Sequence, residues 1–356
     1  MASPLTTDEL TLHLVATGII ALTQRAAQGE AVYPYPEALQ RGLDRLTVAA
    51  LRHQIAPPQG VPALLDWCRM PIHSWPLDLA AGLIESHDTL LIGYQPSSTC
   101  DDWACAHPDV EAELTERRLM QRVFDLCSRT NDTAGYVAFR SLLITAPAMT
   151  ALELQQQCIR PELLRLADVL RDSYQQAPIG WANNGMFTCC AHCHNLLIPL
   201  ATGGYVCETE TCRHESGSLL GRRIPAHEMP MWLVRGLRRF VTGPGRAEQR
   251  LANAVVALGF RVELWPALDR YDLRITLPDD SVWAIDVKDW ANPYLLARRL
   301  QTIPSDPPWN RAFIVIPNHR LKQRRDYLRA LRKACMNNSF TIASERDLLN
   351  ALKKHV

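Results

Sequence analysis

The 356-residue chain has no apolar run of membrane length and almost no net charge. No window approaches the roughly 20 uninterrupted apolar residues that a membrane-spanning helix requires. At the N-terminus, Asp8 and Glu9 precede the first apolar run and no basic region is present, which argues against a secretory signal. We therefore expect a cytoplasmic protein that makes no contact with a membrane.

The formal net charge is +1, so a surface that binds nucleic acid must come from local clusters of basic residues. Hydrophobic residues make up 47% of the chain and charged residues 21%, as in folded globular proteins and unlike disordered ones. The sequence has no repeat of fixed period and no low-complexity segment. A chain of this length is expected to form two or three compact domains.

Changes in periodicity divide the chain into four parts. Residues 1–180 carry apolar residues at three- and four-residue spacing, which predicts an all-α N-terminal domain. Within 181–220 this periodicity stops, and glycine, cysteine and histidine accumulate. The segment 221–245 supplies one linking helix, which ends before a Gly-Pro-Gly sequence. In 246–356 strands alternate with helices, which predicts an α/β domain with its sheet packed on both faces.

Five of the eleven cysteines fall between positions 189 and 212. In a chain without a secretory signal, such clustering favours a metal site over disulfides. Cys190 and Cys193 form one close pair; Cys207 and Cys212 form a second pair after an intervening loop. Two close pairs joined by a short loop suit a tetrahedral zinc site. We predict a zinc ribbon whose Zn²⁺ is structural, because four thiolates leave no open position.

Other residues of this segment could replace one of the four predicted ligands. They are Cys189, His192, His194 and His214. Free cysteines in a small core are the alternative interpretation. Few large apolar residues accompany these cysteines, so the segment is poorly suited to form such a core.

The stretch "YDLRITLPDDSVWAIDVKDW", residues 271–290, is typical of a β-hairpin, yet it carries charged residues on its strands. Because strand side chains alternate, Asp286 and Lys288 share one face. Asp272 and Asp286 are about equally far from the turn, so pairing should place them nearly opposite, within about 5 Å. Glu248, on the preceding helix, could reach the same point. Carboxylates beside a lysine favour Mg²⁺ or Mn²⁺, which prefer oxygen ligands.

Such a site is suited to phosphodiester hydrolysis. The metal polarises the phosphodiester, helps to generate the attacking hydroxide and offsets charge on the leaving group. The lysine orients the water or stabilises the developing charge. The alternative is a salt-bridged hairpin in an unrelated α/β domain, in which Asp286 and Lys288 pair on an exposed edge.

The order of these elements resembles the PD-(D/E)xK nuclease superfamily over about residues 246–345. The resemblance implies a mixed sheet flanked by helices and cleavage of DNA with Mg²⁺. It gives Asp272 the aspartate position, Asp286 the D/E position and Lys288 the lysine position. Glu248 matches the acidic residue that many members carry on their first helix. Tyr271 stands where the motif has proline, which many members also lack.

The whole layout is similar to restriction-endonuclease-like proteins that are encoded beside PIWI-related proteins and a helicase in prokaryotic (pPIWI_RE) defence systems. This resemblance implies a metal-dependent DNA endonuclease directed against phages or plasmids, with a helicase and a PIWI/Argonaute-related protein as partners. Two alternatives stay open. One is a stand-alone restriction or DNA-repair nuclease. The other is a zinc-ribbon scaffold with an inactive nuclease fold that docks such partners.

Residues 319–334 hold seven Lys and Arg residues against one acid, Asp326, on what reads as one helix over 320–334. Clustered basic residues are what binding to phosphates requires. The alternative is a solvated helix face, as in most charge runs. The residues predicted to contact DNA are Arg320, Lys322, Arg324, Arg325 and Arg329.

Overall fold

A computed structural model of the protein describes residues 5–105, 111–200, 203–214, 217–335 and 339–355. The chain forms two compact units. The first consists of Met1–Glu111, Trp290–Leu300 and Arg329–Cys335; the second consists of Ala112–Asp289, Gln301–Leu328 and Met336–Val356. The predicted boundaries at 180, 220 and 245 all lie inside the second unit, so the four-part division stays a prediction.

The first unit is mainly helical. Its longest helix, Thr7–Gln28, begins with a capping box in which the side chains of Thr6 and Glu9 each accept a hydrogen bond from the other residue's backbone N–H. This helix packs against the helix Glu37–Arg52. Gly18 allows the close approach, since a Cβ there would lie 2.4 Å from Leu39. The remaining helices are Val61–Arg69, Ser98–Ala104 and Pro293–Arg299, and the strands Leu91–Ile92 and Gln95–Pro96 form a short hairpin.

The helix Thr7–Gln28 is long and apolar enough to cross a membrane by length and composition alone. In the structure, 56% of its most apolar window is buried. Leu12, Val15 and Ile19 of this helix lie in the hydrophobic core of the first unit. This burial is typical of the core helix of a folded domain, and the cytoplasmic location stays a prediction.

The second unit contains a five-stranded mixed sheet whose strands follow one another in chain order. The first three strands are antiparallel and the last three are parallel. The predicted mixed α/β sheet is thereby confirmed. The strands are Arg261–Leu264, Leu273–Thr276, Val282–Val287, Arg311–Ile316 and Thr341–Ser344.

The central strand, Val282–Val287, is buried on both faces from Val282 to Ile285. Trp283 and Ile285 share one face of this strand and pack in one core with the helices Gly243–Ala257 and Glu345–Leu352. Because side chains alternate along a strand, Asp286 lies on the opposite face. The helix Gly243–Ala257 therefore packs on one face of the sheet, and the Asp286 side chain lies on the other.

Smaller elements surround this sheet. A three-stranded antiparallel sheet has Pro230–Leu233 between Ala148–Thr150 and Tyr174–Gln176. Met186–Cys190 pairs with Leu220–Pro225, and Ile198–Pro199 pairs with Tyr205–Val206. The other α-helices, two of which continue from or into the first unit, are Glu111–Thr130, Thr133–Thr145, Ala151–Cys158, Ala167–Asp172, Glu210–His214, Arg235–Leu237, Asn318–Gln323 and Tyr327–Ala334. Pro266–Asp269 is a short turn whose residues Ala267 and Leu268 have left-handed backbone angles.

The prediction of a single linking helix before Gly-Pro-Gly was wrong in two respects. The segment Pro230–Leu233 is a strand whose Trp232 and Leu233 are buried in a sheet. The Gly-Pro-Gly sequence does not end a helix but begins the helix Gly243–Ala257. Proline is tolerated in a first helical turn, because the backbone N–H it lacks has no partner there.

The prediction of one helix over the basic segment 320–334 was also wrong. It contains two helices, Asn318–Gln323 and Tyr327–Ala334, because Arg324 adopts an extended conformation, with φ −133° and ψ 106°. The Arg324 side chain pairs with Asp326, with 2.9 Å between Nε and Oδ1.

Candidate metal and catalytic sites

Three of the predicted catalytic residues lie at one end of the central hairpin. The pairing of its two strands ends with Leu273 opposite Ile285, and the next residues outward are Asp272 and Asp286. Oδ2 of Asp272 accepts a hydrogen bond of 2.6 Å from the backbone N–H of Val287. Lys288 donates from Nζ to Oδ1 of Asp286 across 2.7 Å. The fold thus brings the two aspartates and the lysine together.

Charge is unbalanced at this end of the hairpin. Burial raises the pKa of Asp272, and repulsion from Glu248 and Asp286 raises it further, well above its ordinary value, in spite of Lys288 and Arg140. Burial alone would lower the pKa of Lys288, but attraction to Asp286 and Asp272 outweighs it and raises that pKa. Lys288 is therefore cationic at neutral pH. The negative charge exceeds what the two basic residues offset, a situation that a divalent cation would relieve.

Glu248, the fourth predicted residue, is occupied by other partners. Its side chain is 2% exposed, and both of its oxygens accept hydrogen bonds from Nη2 of Arg140, at 3.1 and 3.0 Å. Oε2 also accepts a bond of 2.5 Å from Nε1 of Trp265. The structure therefore places Glu248 in a buried ion pair and not in an open ligand position.

Arg140 contacts most of the acidic residues around Glu248. Its guanidinium also pairs with Asp269, lies 3.9 Å from Oδ1 of Asp272, and stacks 4.8 Å from the ring centre of Trp265. Burial alone would lower the pKa of Arg140, but Glu248 and other neighbours outweigh it and raise that pKa. This arginine was not predicted to belong to the site, and it is separated from Glu248 by 108 positions.

A close helix crossing brings Arg140 to Glu248. Arg140 lies on the helix Thr133–Thr145, and Glu248 lies on the helix Gly243–Ala257. Gly245 leaves room for Ile144, since a Cβ at position 245 would lie 2.3 Å from the Ile144 side chain. Thr242 Oγ1 donates a 2.8 Å hydrogen bond to the Leu143 carbonyl at the same crossing. Both helices are thus fixed within one turn of the ion pair.

Asp269 reaches the site from an unusual backbone segment. Trp265, Ala267, Leu268 and Asp269 all have positive φ angles, between 49° and 73°. Left-handed backbone costs a non-glycine residue roughly 1–2 kcal/mol. Tyr136 donates a 3.1 Å hydrogen bond to Oδ2 of Asp269, and Oδ1 of that residue is buried without a hydrogen-bond partner among the described residues. The segment is thus held in a strained form beside the carboxylates.

The number of carboxylates at the end of the hairpin decides which kind of divalent-cation site they suit. Among the described residues, the only group of three or more His, Cys, Asp or Glu side chains within metal-ligating distance of one another is made of cysteines. Asp272 and Asp286 therefore offer two carboxylates and not three. Mg²⁺ is commonly held by one or two carboxylates, with water and substrate phosphates as its other ligands. The donor set is consistent with such an ion.

The cysteine cluster is compact and buried. The Sγ atoms of Cys190, Cys193, Cys207 and Cys212 all lie within 4.8 Å of one another, and those of Cys193 and Cys207 are 3.5 Å apart. Four sulfurs at about 2.3 Å from a tetrahedral ion would be about 3.8 Å apart. The spacing therefore suits zinc.

The alternative ligands lie outside this group. Cys189 packs with Phe187 and Trp232 in a separate small core, and burial raises the pKa of its thiol to about 11. His192 and His194 are not among the grouped side chains. The side chain of His214 lies outside the described residues.

The cysteine cluster is tied to the helix that carries Glu248. Arg246 donates from Nη2 to the His192 carbonyl at 2.8 Å, and its Nη1 lies 3.7 Å from Sγ of Cys212. Arg246 is two residues from Glu248 in the first turns of the helix Gly243–Ala257. The start of this helix is therefore anchored on the cysteine cluster.

The basic residues predicted to contact DNA differ in exposure. Arg320 is 3% exposed, and its Nε donates to Oδ1 of Asp289 at 2.6 Å; His319 Nε2 lies 2.8 Å from the same oxygen. Burial alone would raise the pKa of Asp289, but Arg320 and His319 outweigh it and lower that pKa well below its ordinary value. Arg320 thus faces the protein interior.

The other four predicted DNA contacts lie nearer the surface. Lys322, Arg325 and Arg329 are exposed, whereas the Arg324 side chain is only 9% exposed and pairs with Asp326. Lys322 and Arg325 belong to the second compact unit, and Arg329 belongs to the first. Lys322 and Arg325, the two exposed predicted contacts in the second unit, therefore lie on either side of the break at Arg324.

Comparison with known families gives two matches in separate parts of the chain. Residues 245–356 match a family described as "REase associating with pPIWI_RE". Residues 11–150 match "pPIWI_RE three-gene island domain Y". No curated protein and no solved structure matches the chain. The two family matches confirm the resemblance, and they associate the chain with pPIWI_RE defence islands and give it a restriction-endonuclease-like C-terminal region.

Proposed function

We propose that the chain is a metal-dependent DNA endonuclease that acts in a pPIWI_RE defence island against phage or plasmid DNA. The observation that carries this proposal is the meeting of Asp272, Asp286 and Lys288 at the end of the central hairpin. The match of residues 245–356 to a restriction-endonuclease-associated family supports it. The salt-bridged hairpin is disfavoured by the excess of negative charge around Asp272.

In this proposal, Asp272 and Asp286 hold one Mg²⁺ or Mn²⁺. When bound, the ion supplies polarisation of the phosphodiester and a bound water of lowered pKa. Lys288, held by Asp286, presents a fixed positive charge that stabilises negative charge developing on the phosphate. Glu248 acts from outside the ligand set, through the ion pair that it forms with Arg140.

We propose that Cys190, Cys193, Cys207 and Cys212 bind a structural Zn²⁺. Four buried sulfurs at this spacing cannot all carry charge without a cation among them. Through Arg246, the zinc site would anchor the first turn of the helix that carries Glu248. The zinc therefore supports the nuclease region and takes no part in its chemistry.

We propose that Lys322 and Arg325, both in the second unit, contact DNA phosphates. The contact by Arg329, which belongs to the first unit, is a separate proposal. Such contacts raise affinity without reading sequence. Arg320 is assigned a structural role, because its guanidinium is buried against Asp289. DNA phosphates would thus meet exposed basic residues while the buried pair of Arg320 and Asp289 stays intact.

The proposed partners are a helicase and a PIWI/Argonaute-related protein, and the proposed location is the cytoplasm. The match of residues 11–150 to an island domain supports action within such a system and disfavours a stand-alone restriction or repair nuclease. A scaffold with an inactive nuclease fold is the second candidate. The observation that favours it is the closed ion pair between Glu248 and Arg140.

The test is incubation of the purified protein with plasmid DNA and Mg²⁺ or Mn²⁺, with the Asp286→Asn variant as control. We expect metal-dependent nicking by the wild type and its loss in the variant. Equal nicking by both proteins would contradict the assigned site. No nicking by a wild type that copurifies with the helicase would favour the scaffold.

A further inference from the structure

We infer that Arg140 takes the place of a second metal ion in the nuclease site, so that the site binds a single divalent cation. This inference rests on the proposed function, since it assigns the cation to Asp272 and Asp286. It makes Arg140 a positioning residue that balances the charge of the site and holds Glu248. The chemistry proposed above uses this arginine only as the ion-pair partner of Glu248.

The hydrogen bonds to Glu248 leave little room for a metal. Each carboxylate oxygen offers about two lone pairs. Oε2 of Glu248 has two donors, Arg140 and Trp265, and Oε1 has Arg140 as a donor. A cation that bound both oxygens would have to displace the guanidinium from a buried position in which the Arg140 side chain is 8% exposed.

Arg140 bridges two carboxylates, as a metal ion would. On one side it binds Glu248, and on the other it binds Asp269, whose Oδ1 is buried and has no hydrogen-bond partner among the described residues. With the guanidinium removed, Glu248 and Asp269 would offer oxygens to a cation at the position that Arg140 occupies. Arg140 and a second metal ion would therefore compete for the same oxygens.

The net charge of the site also favours a single divalent cation. The site has four carboxylates, which total −4: Glu248, Asp269, Asp272 and Asp286. Arg140 and Lys288 contribute +2, so the net charge is −2 when all of these groups are ionised. One divalent cation neutralises this charge, and a second would leave a buried excess of +2. Without Arg140 the net charge is −3, which favours stronger binding or a second ion.

Arg140 and the carboxylates that it contacts lie in the parts of the chain that match two different families. Arg140 lies inside the 11–150 match to island domain Y, whereas the carboxylates lie inside the 245–356 match. The crossing of Ile144 over Gly245 and the bond from Thr242 to the Leu143 carbonyl fix its helix in place. The nuclease site is therefore completed by a residue from outside the restriction-endonuclease-like region.

The experiment counts Mn²⁺ ions on the full-length, zinc-loaded protein by calorimetric titration and by electron paramagnetic resonance. Neither readout depends on cleavage. For the wild type we expect one Mn²⁺ per chain. Arg140→Gln should bind Mn²⁺ about tenfold more tightly or take up a second ion, because a repelling positive charge a few ångströms away is lost. Arg140→Lys keeps the charge and should stay close to the wild type.

The double variant Arg140→Gln/Glu248→Gln is the decisive control. It removes both charges of the buried pair, which proteins tolerate better than the loss of one partner, so it should fold even where Arg140→Gln does not. Its net charge is again −2, and we expect one Mn²⁺ with near wild-type affinity. Loss of Mn²⁺ from the double variant would identify Glu248 as a ligand and overturn the inference.

Two further outcomes are distinguishable. Weaker Mn²⁺ binding by Arg140→Gln than by the wild type would also overturn the inference, since it would mean that Arg140 organises the metal site and does not compete with a cation. Undiminished Mn²⁺ binding by Asp286→Asn would instead contradict the proposed function, because the cation would not lie at the hairpin. Loss of binding in that variant supports the assignment on which the inference rests.

Discussion

Replacing Gly245 by alanine tests whether the helix of Arg140 crosses the helix of Glu248 as closely as described. The added Cβ would lie 2.3 Å from the buried side chain of Ile144. Overpacking of this kind costs about 1–3 kcal/mol, and the higher helix propensity of alanine offsets about 1 kcal/mol. We expect a net loss of up to about 2 kcal/mol, which lowers the melting temperature by up to about 8 °C.

Two variants control this measurement. A Cβ at Gly180 would meet nothing within 4 Å, so Gly180→Ala should leave stability unchanged or raise it by up to about 1 kcal/mol. Ile144→Val removes Cδ1, the atom nearest to the added Cβ. The double variant Gly245→Ala/Ile144→Val should therefore be more stable than the sum of the two single changes. A melting temperature of Gly245→Ala equal to that of Gly180→Ala would refute the crossing.

Three further predictions concern other parts of the second unit. The purified protein should contain one zinc per chain, and Cys193→Ser should lose it and locally unfold; zinc-free protein prepared without chelator would contradict this. Replacing Lys322 and Arg325 by glutamine should reduce the salt dependence of DNA binding by about one unit per lost phosphate contact, and an unchanged slope would indicate a solvated face. Asp289→Asn should cost about 3–5 kcal/mol at neutral pH, because it leaves the Arg320 charge buried without its partner. Since the pKa of Asp289 is lowered in the fold, this difference in unfolding free energy should shrink as the pH falls below about 4.

The strands of the C-terminal sheet could be predicted because their signals are local. The alternation in "YDLRITL" and "SVWAIDVK" and the turn between them fix the hairpin, and the hairpin alone puts Asp272 and Asp286 at neighbouring strand ends. The two cysteine pairs are local in the same sense. The predicted four cysteines are the four that the structure groups.

Non-local pairing explains three strands that were missed: Pro230–Leu233 in the predicted linking helix, and Ala148–Thr150 and Tyr174–Gln176 in the part wrongly predicted to be all-α. Pro230–Leu233 pairs with Ala148–Thr150 and Tyr174–Gln176, which lie far away in the sequence. Its own residues have the apolar spacing of a helix, and nothing local indicates the two partner strands. The prediction that Gly-Pro-Gly ends a helix was wrong for another reason. Proline breaks a helix interior but suits a first turn.

Arg140 could not be found from the sequence, because its partners are carboxylates more than 100 positions away. Nothing in the helix Thr133–Thr145 separates this arginine from a surface residue until the crossing at Gly245 is known. The burial of Arg320 is a similar case, since Asp289 lies beyond a helix and a strand. In both cases tertiary contact decides whether a basic residue faces solvent.

Asp272, Asp286 and Lys288 are proposed to form a metal-dependent nuclease site. The most direct test measures plasmid nicking and melting temperature on the wild type, Asp286→Asn and Lys288→Ala, in the presence of Mg²⁺ or Mn²⁺. We predict that nicking by Asp286→Asn falls about 100-fold or more while its melting temperature is maintained. A lower melting temperature with unchanged nicking would mean that these charges only hold the hairpin together.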